Sequence, residues 1–321
     1  MGTVRRVTLL APPPAGPPGP AAPTTPAAPA APAAQTGSAR PRIALYGHDT
    51  VGLGHLRRNL ALAEHLGSAA AADHGGADVL LVTAAAEAGR FALPPGVELL
   101  VLPSVRKDAA GRYASGAWSQ GLDAVVDLRR RLLATALEAF APELLVTDKA
   151  PWGFRGELEP ALRLLRARGT HLVLGLRDVL DEPSVASAQW RAERGDAAVR
   201  ECYDEVWVYG DRTVHDVAAA ASMDPVAARA CHYLGYLAEG RVTAASPPEG
   251  VAGPYVLGVC GGGSDGGALA EAFVTAAPPA GHTGVLVTGP QLPARELVRL
   301  RAAAAARARD SAGAHDVRVV R

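Results

Sequence analysis

Two histidines, His48 and His55, are the side chains of this chain best suited to acid–base chemistry. They flank the turn 49–54, which follows the apolar run 43–46 and precedes a segment with leucine and alanine at helical spacing. A strand, a glycine-bearing turn and a helix N-terminus form an anion site, because free backbone N–H groups and the positive end of the helix dipole point at the turn. A neutral histidine there adds a general base or a hydrogen-bond donor. The pattern therefore predicts chemistry beside a phosphate or sugar; the alternative is a structural histidine at the helix start.

The turn between the histidines offers further ligand contacts. Gly52 and Gly54 allow close approach of the backbone, and Asp49 lies in the same turn. Arg57 stands where the dinucleotide-binding fingerprint has its third glycine, so the match to that fingerprint is weak. Arg58 fits either a ligand site or a solvated helix face.

A second glycine-rich loop, 261–266, follows the apolar run 255–260 and matches G-x-G-x-x-G. No Asp or Glu occurs between Glu271 and Glu296 to bind a ribose diol, which disfavours a nicotinamide cofactor. Three consecutive glycines favour a phosphate cradle of backbone N–H groups, with a tight strand-to-helix turn as the alternative. Thr288 follows the next strand at the same sheet edge. The predicted phosphate-site residues are Gly261, Gly262, Gly263, Ser264, Asp265, Gly266 and Thr288.

Charged residues end two other predicted strands. Asp148 and Lys149 follow one apolar run, and Arg177 and Asp178 follow the next. Open α/β sheets bind ligands at the carboxyl ends of their strands. Each pair is either a local salt bridge or part of a site, and an acidic side chain here is able to bind sugar hydroxyls or to orient His55.

The bulk composition excludes several classes of function. The 321 residues contain 32 Lys plus Arg and 32 Asp plus Glu, so no net charge indicates nucleic acid as a partner. No apolar stretch approaches the roughly 20 residues that span a bilayer. The 3 cysteines are dispersed, which disfavours structural zinc or disulfides and indicates a reducing cytoplasm. The Pro/Ala-rich tail 1–41 is predicted to be disordered, either as a passive tail or as a protein-binding segment.

The elements that must position these residues alternate between apolar strands and amphipathic helices. The predicted strands are 43–46, 78–83, 97–102, 143–147, 171–176, 205–209 and 231–234, and the predicted helices are 55–67, 121–140, 156–168, 189–203 and 212–221. This alternation predicts a parallel sheet covered on both faces, with residues 42–238 as one doubly wound α/β domain. The segment 239–253 reads as a linker. The pattern then restarts, and 254–321 is predicted to be an incomplete second Rossmann-like domain, since such domains usually contain five or six strands.

Taken together, these residues resemble the glycosyltransferases with two Rossmann-like domains (GT-B type), particularly a MurG-like group of bacterial predicted glycosyltransferases. The loop from His48 to Asn59 carries the closest likeness, and the resemblance extends over 42–321. It implies that the N-terminal domain takes the acceptor and the C-terminal domain takes a nucleotide-sugar donor, with no metal and no other cofactor. Family members continue past the point where this chain ends, which supports the prediction of an incomplete second domain.

The resemblance also implies roles for the candidate residues. His55, or else His48, would deprotonate an acceptor hydroxyl, and the loop 261–266 would hold the donor diphosphate. The acceptor side is predicted to include Gly52, Gly54, Asp49, Asp148 and Arg177.

Two alternatives stay open at this point: a nucleotide-sugar hydrolase or epimerase of the same fold, and a non-catalytic protein that only binds sugar nucleotides. The predicted partners are the donor and an acceptor that is lipid-linked or a small molecule. Neither nucleic acid nor a transmembrane segment is expected, whereas peripheral membrane contact is compatible with the sequence. The donor sugar, its nucleotide and the acceptor are left open.

Overall fold

A computed structural model describes residues 40–48, 53–67, 75–107, 112–237, 251, 253–263, 266–311 and 316–320. Four predicted site residues lie outside these ranges: Asp49, Gly52, Ser264 and Asp265. Nearly all of the predicted tail and most of the predicted linker also lie outside them.

The larger part of the described chain consists of nine strands and seven α-helices in the order given by the sequence. The strands are β1 (Arg42–Gly47), β2 (Asp78–Thr83), β3 (Val97–Val101), β4 (Val105–Lys107), β5 (Tyr113–Ser115), β6 (Leu144–Asp148), β7 (His171–Arg177), β8 (Glu205–Tyr209) and β9 (Cys231–Tyr233). The helices are α1 (Gly54–Gly67), α2 (Leu122–Phe140), α3 (Glu159–Ala167), α4 (Pro183–Ala192), α5 (Gly195–Glu201), α6 (Val217–Ala220) and α7 (Pro225–Arg229).

Seven of these strands form one parallel sheet in the order β3-β2-β1-β6-β7-β8-β9. The order reverses between β1 and β6, which pair directly, with Gly47 opposite Asp148. In open α/β sheets this reversal opens a crevice at the carboxyl ends of the strands, and ligands bind there. The fold therefore places the ends of β1 and β6 side by side at the position expected for a site.

The sheet is buried on both faces, as its uniformly apolar strands require. Along β1, Ile43 and Leu45 belong to the core on the α1 side, whereas Ala44 and Tyr46 belong to the core on the other side. The α1 side is closed by Leu56 and Ala63. The other side is closed mainly by α2, α3 and α5, through Leu133, Leu137, Leu162, Leu165 and Val199.

Three local features differ from the sequence prediction. The loop after β3 contains an antiparallel hairpin of β4 and β5. Each of these strands has three residues, which is too short to give a recognisable pattern in the sequence. The helix predicted over 189–203 is divided into α4 and α5, because Arg194 adopts a left-handed conformation with φ of 50°. The helix predicted over 212–221 is shortened to α6, which Asp216 caps by accepting from the N–H of Ala219.

A second parallel sheet has the order β10-β11-β12. Its elements are β10 (Tyr255–Val259), α8 (Gly267–Thr275), β11 (Thr283–Val287), α9 (Ala294–Asp310) and β12 (Val317–Val320). Ala270, Val274, Leu297 and Leu300 of its two helices pack against Leu286. The prediction of an α/β protein with Rossmann-like parallel sheets is confirmed. No helix in the described part of the chain is long and apolar enough to cross a bilayer.

Candidate functional site

Asp148 is the centre of a buried cluster at the carboxyl ends of β1 and β6. Its side chain is 1% exposed, and one carboxylate oxygen lies 3.0 Å from Nδ1 of His55. The guanidinium of Arg58 donates to both carboxylate oxygens, over 2.7 and 3.0 Å. His55 and Arg58 are three residues apart on α1, so a single face of this helix supplies both partners of the carboxylate.

The hydrogen bond to Asp148 fixes the tautomer of His55. An ionised carboxylate only accepts hydrogen bonds, so Nδ1 of His55 carries the proton in this bond. Nε2 of the neutral ring then keeps its lone pair and is able to take a proton from a ligand. A histidine oriented by a carboxylate in this way has the arrangement of a general base.

Arg58 and Tyr209 complete the surroundings of Asp148. The Arg58 guanidinium lies 5.1 Å from the centroid of the Tyr209 ring, a cation–π distance. Burial, together with the negative charge of Asp148, raises the pKa of Tyr209, although Arg58 acts in the opposite direction. Tyr209 thus stays protonated, and Arg58 and His55 both contact the carboxylate of Asp148.

His48, the residue after β1, lies against the His55 ring. The two ring centroids are 5.2 Å apart in an edge-to-face arrangement, and His48 also stacks on Phe154 at 6.5 Å. Its buried Nδ1 has no hydrogen-bond partner among the residues that the structure describes. Desolvation, with the nearby charges of His55 and Lys149, lowers the pKa of His48 to about 3. His48 is therefore neutral at physiological pH.

The depressed pKa of His48 predicts a pH-dependent loss of stability. Between pH 6.5 and about 3 the unfolded chain binds a proton at His48 that the folded protein does not bind. His48 therefore removes about 1.4 kcal/mol of unfolding free energy for each pH unit of fall in this window. Urea unfolding at several pH values should show that the free energy of unfolding falls less steeply with decreasing pH in His48→Gln than in the wild type. Above pH 6.5 the difference between the two proteins should be constant, and parallel curves throughout would contradict the prediction.

A cavity of about 670 Å³ opens beside His48. Its lining includes the segment from Lys149 to Gly156 after β6, the end of α4 and Tyr113 of the β4–β5 hairpin. This volume is in the range of small-molecule sites. The aromatic rings of Tyr113, Trp152 and Phe154 and several charged side chains share the wall, so the cavity suits a polar ligand with a flat apolar face.

A buried ion pair holds the segment that lines this cavity. Arg129 of α2 donates to both carboxylate oxygens of Glu157, over 2.6 Å each, and both side chains are 0% exposed. The hydroxyl of Tyr46 donates to the same carboxylate over 2.5 Å and accepts from the N–H of Phe154 over 3.3 Å. Arg129 also donates to the carbonyl of Pro103 over 3.0 Å. Strand β1, helix α2 and the cavity wall are thus joined through one hydrogen-bonded cluster.

Gly153 is required where the cavity wall crosses Tyr46. Its φ is +71°, and an added Cβ would lie 2.8 Å from both the Tyr46 hydroxyl and Cβ of Leu158. Gly153→Ala is therefore expected to destabilise the protein by about 2–4 kcal/mol, from left-handed strain plus overpacking. Gly156→Ala is the matched control, because Gly156 has φ of +77° but its added Cβ would meet only a carboxylate oxygen of Glu159 at 4.0 Å. Equal losses in denaturant unfolding would contradict the role of the contact with Tyr46.

The second predicted site, the loop after β10, is described only in part. Gly263 and Gly289 both have positive φ, and an added Cβ at either would lie 2.3 Å from a carbonyl oxygen of the other loop. These two glycines therefore serve the close crossing of the loops 261–263 and 288–289. Gly261, with φ of +57°, has no atom of a described residue within 4 Å of its Cβ position. The loop packing explains part of the glycine run without a ligand, and the open side at Gly261 remains available for one.

The structure places the other predicted residues as follows. Arg177 donates to the carbonyl of Leu180 over 2.6 Å within its own exposed loop. The buried hydroxyl of Thr288 donates to the carbonyl of Val320 over 3.1 Å, so it is already engaged within the sheet. Gly54 is the first residue of α1, and no atom of the described part of the chain lies within 4 Å of its Cβ position. Asp148 contacts His55, as expected if it is part of a site. It does not form the alternative, a local salt bridge with Lys149, because its cationic partner is Arg58.

Sequence reasoning did not identify the segment from Lys149 to Glu157 as a cavity wall, nor Arg129 as its support. The local signal was present, since two glycines and a proline interrupt the pattern directly after β6. Among the residues that the structure describes, no group of three or more His, Cys, Asp or Glu side chains is placed to hold a metal ion.

Comparison with known proteins gives similarity only at the level of solved structures. No family model and no curated protein matches the chain. The superposition on a glycosyltransferase from Rickettsia africae ESF-5 spans 87% of this chain and 68% of the glycosyltransferase chain, at 9% identity and a TM-score of 0.44. A UDP-glucosyltransferase from Polygonum tinctorium covers 88% and 72%, at 13% identity and a TM-score of 0.46. A proposed UDP-N-acetylglucosamine 2-epimerase from Listeria monocytogenes covers 88% and 69%, at 10% identity and a TM-score of 0.47.

Proposed function

We propose that this protein is a glycosyltransferase that moves a sugar from a nucleotide-sugar donor to an acceptor hydroxyl without a metal ion. The observation that carries the proposal is the hydrogen bond between Nδ1 of His55 and Asp148, beside a cavity of about 670 Å³ at the reversal point of the sheet. His48 connects the two, because it lines the cavity and its ring centroid lies 5.2 Å from that of His55, so a base with an orienting carboxylate lies one side chain away from room for an acceptor.

In the proposed reaction Nε2 of His55 takes the proton of the acceptor hydroxyl as the oxygen attacks the anomeric carbon of the donor. The bond between that carbon and the diphosphate oxygen breaks, and the diphosphate leaves with the bonding electron pair. Asp148 stabilises the imidazolium that forms, because a negative charge next to a developing positive charge lowers its energy. His48 is neutral and stacked on Phe154, and its ring lies edge-to-face against the His55 ring.

The donor is assigned to the loop after β10 and the start of α8. Backbone N–H groups at a glycine-rich strand-to-helix turn bind phosphate oxygens, and the helix dipole favours the negative charge of a diphosphate. The open side at Gly261 supports this assignment.

The function is tested by incubating the protein with a panel of nucleotide sugars, with and without a mixture of sugar and lipid-linked acceptors, and analysing the products by mass spectrometry. We expect the nucleoside diphosphate to be released only when an acceptor is present, together with a product heavier by one sugar. Release of free sugar without acceptor would indicate a hydrolase, and an isomerised nucleotide sugar would indicate an epimerase; either result would overturn the proposal.

A further inference from the structure

Two charged side chains that line the cavity beside His48, Lys149 and Glu193, make no ion pair with another described residue. Three cationic side chains, Lys149, Arg155 and Arg194, and two carboxylates, Glu159 and Glu193, line it. Arg194 pairs with Glu159 at 3.2 Å, and Arg155 pairs with Asp123 at 2.8 Å outside the lining. Within the described residues, no carboxylate lies within the 4.0 Å of an ion pair from the Lys149 ammonium.

Lys149 is held in a conformation that a non-glycine residue rarely adopts. Its φ is +70°, in the left-handed region, directly after β6. The position is fixed by two backbone hydrogen bonds, from the N–H of Lys149 to the carbonyl of Gly175 over 2.8 Å and from the N–H of Ala150 to the carbonyl of Asp148 over 2.9 Å. Backbone strain of this kind persists where the surrounding structure over-determines it, and it is concentrated at ligand sites. Here it sets the lysine side chain on the cavity wall.

The ammonium of Lys149 acts on groups at both sides of the cavity. Its charge contributes to the lowered pKa of His48. Desolvation raises the pKa of the Glu193 carboxyl, and the Lys149 charge opposes this shift. The ammonium therefore lies close enough to both groups to influence them, while it makes an ion pair with neither. A half-buried cation that makes no ion pair with the described residues is stabilised when a ligand places a negative charge beside it.

We infer that the cavity binds an acceptor that carries a phosphate or a carboxylate close to its reactive hydroxyl, and that Lys149 contacts this anionic group. The inference rests on the proposed function, and it adds the chemical class of the acceptor. The hydroxyl lies on the His48 and His55 side, and the carboxyl of Glu193 faces the remaining polar groups of the ligand. Phosphate and carboxylate present the same chemistry to an ammonium, so the two sources are separated by experiment.

The test measures binding and does not require turnover. Isothermal titration compares glucose 6-phosphate and glucuronate with uncharged glucose, on the wild type, Lys149→Gln and Lys149→Arg. We expect at least one of the two anionic sugars to bind the wild type 10-fold or more tightly than glucose. Lys149→Gln should abolish this preference, and Lys149→Arg should retain most of it. The anionic sugar that keeps the preference identifies phosphate or carboxylate as the source.

Arg168→Gln is the matched control, because Arg168 is an arginine paired with Glu138 and does not line the cavity. It should leave the preference within about threefold of the wild type, since exposed pairs contribute little. Equal binding of glucose and both anionic sugars, or an unchanged preference in Lys149→Gln, would overturn the inference while leaving sugar transfer untouched. A Lys149→Gln variant that loses binding of UDP would also overturn it, because the cation would then serve the donor.

Discussion

Replacing His55 with alanine is expected to lower the rate of sugar transfer by about 10²–10⁴-fold, the usual contribution of a general base. The reason is that no other group in the cluster takes its place. His48 has a pKa near 3 and is a poor base, and Arg58 is bound to Asp148 as a donor. Donor binding should be unchanged, because the donor is assigned to the loop after β10. The measurements are steady-state kinetics and titration of the nucleoside diphosphate.

The matched control for this prediction is His65→Ala, which removes an exposed histidine from the last turn of the same helix. It should keep transfer within about threefold of the wild type, as is usual for surface substitutions. A His55→Ala protein that transfers sugar at the wild-type rate would exclude His55 as the base.

Asp148→Asn tests the same base through its tautomer. Arg58 has only donors, so the amide oxygen of an asparagine would face Arg58 and the NH₂ group would face Nδ1 of His55. Nδ1 would then have to accept, which moves the proton to Nε2 and removes the lone pair that the reaction needs. The loss of turnover should fall within about 10-fold of the His55→Ala loss. An active Asp148→Asn enzyme would show that the carboxylate does not orient the base.

Arg129→Met is expected to lower the free energy of unfolding by about 3–5 kcal/mol. The substitution leaves the Glu157 carboxylate 0% exposed and without its cation, with Tyr46 as its remaining side-chain donor. The double substitution Arg129→Met/Glu157→Met should recover a large part of this loss, because an apolar pair of similar volume removes the uncompensated charge. Urea denaturation of both proteins and of the wild type measures the difference.

Arg130→Met is the matched control, since the next arginine of α2 is partly exposed and pairs only with Asp127 in its own helix. Its loss should stay below about 1 kcal/mol. If Arg129→Met and Arg130→Met cost the same, or if the double substitution is less stable than Arg129→Met, the buried pair does not hold the cavity wall.

The sequence was sufficient for the architecture because the signals that set it are local. Apolar runs such as 43–46 and 171–176 are stable only when both of their faces are buried. Their alternation with helices therefore predicts a parallel sheet covered by helices. The strand ends were therefore predicted to within about one residue, and Asp148 was placed at the ligand-binding edge. The short strands of the β4–β5 hairpin and the break at Arg194 gave no such periodic signal.

The sequence predicted only those site residues that lie in or next to the glycine-bearing turn 49–54 or at the end of a predicted strand. His55 stood out because two histidines and Asp49 surround the start of one helix. Arg58 was ambiguous, because a charged residue on a helix is usually solvated, and only the fold shows that Asp148 reaches it across 90 residues of chain. Arg129 and Glu157 gave no signal, since a buried ion pair has the same composition as a surface pair until the packing is known.

The buried cluster of Tyr46, Arg129 and Glu157 also has a consequence for the order of folding. Tyr46 and Glu157 are separated by 111 residues and Arg129 and Glu157 by 28, so the cluster closes only after β1, α2 and the segment after β6 have come together. Closing so long a loop costs entropy before any contact is gained, and non-local contacts of this kind form late. A weakened cluster would therefore accelerate unfolding more than it slows folding. The cluster that holds the cavity wall is thus expected to affect the unfolding rate of this domain more than its folding rate.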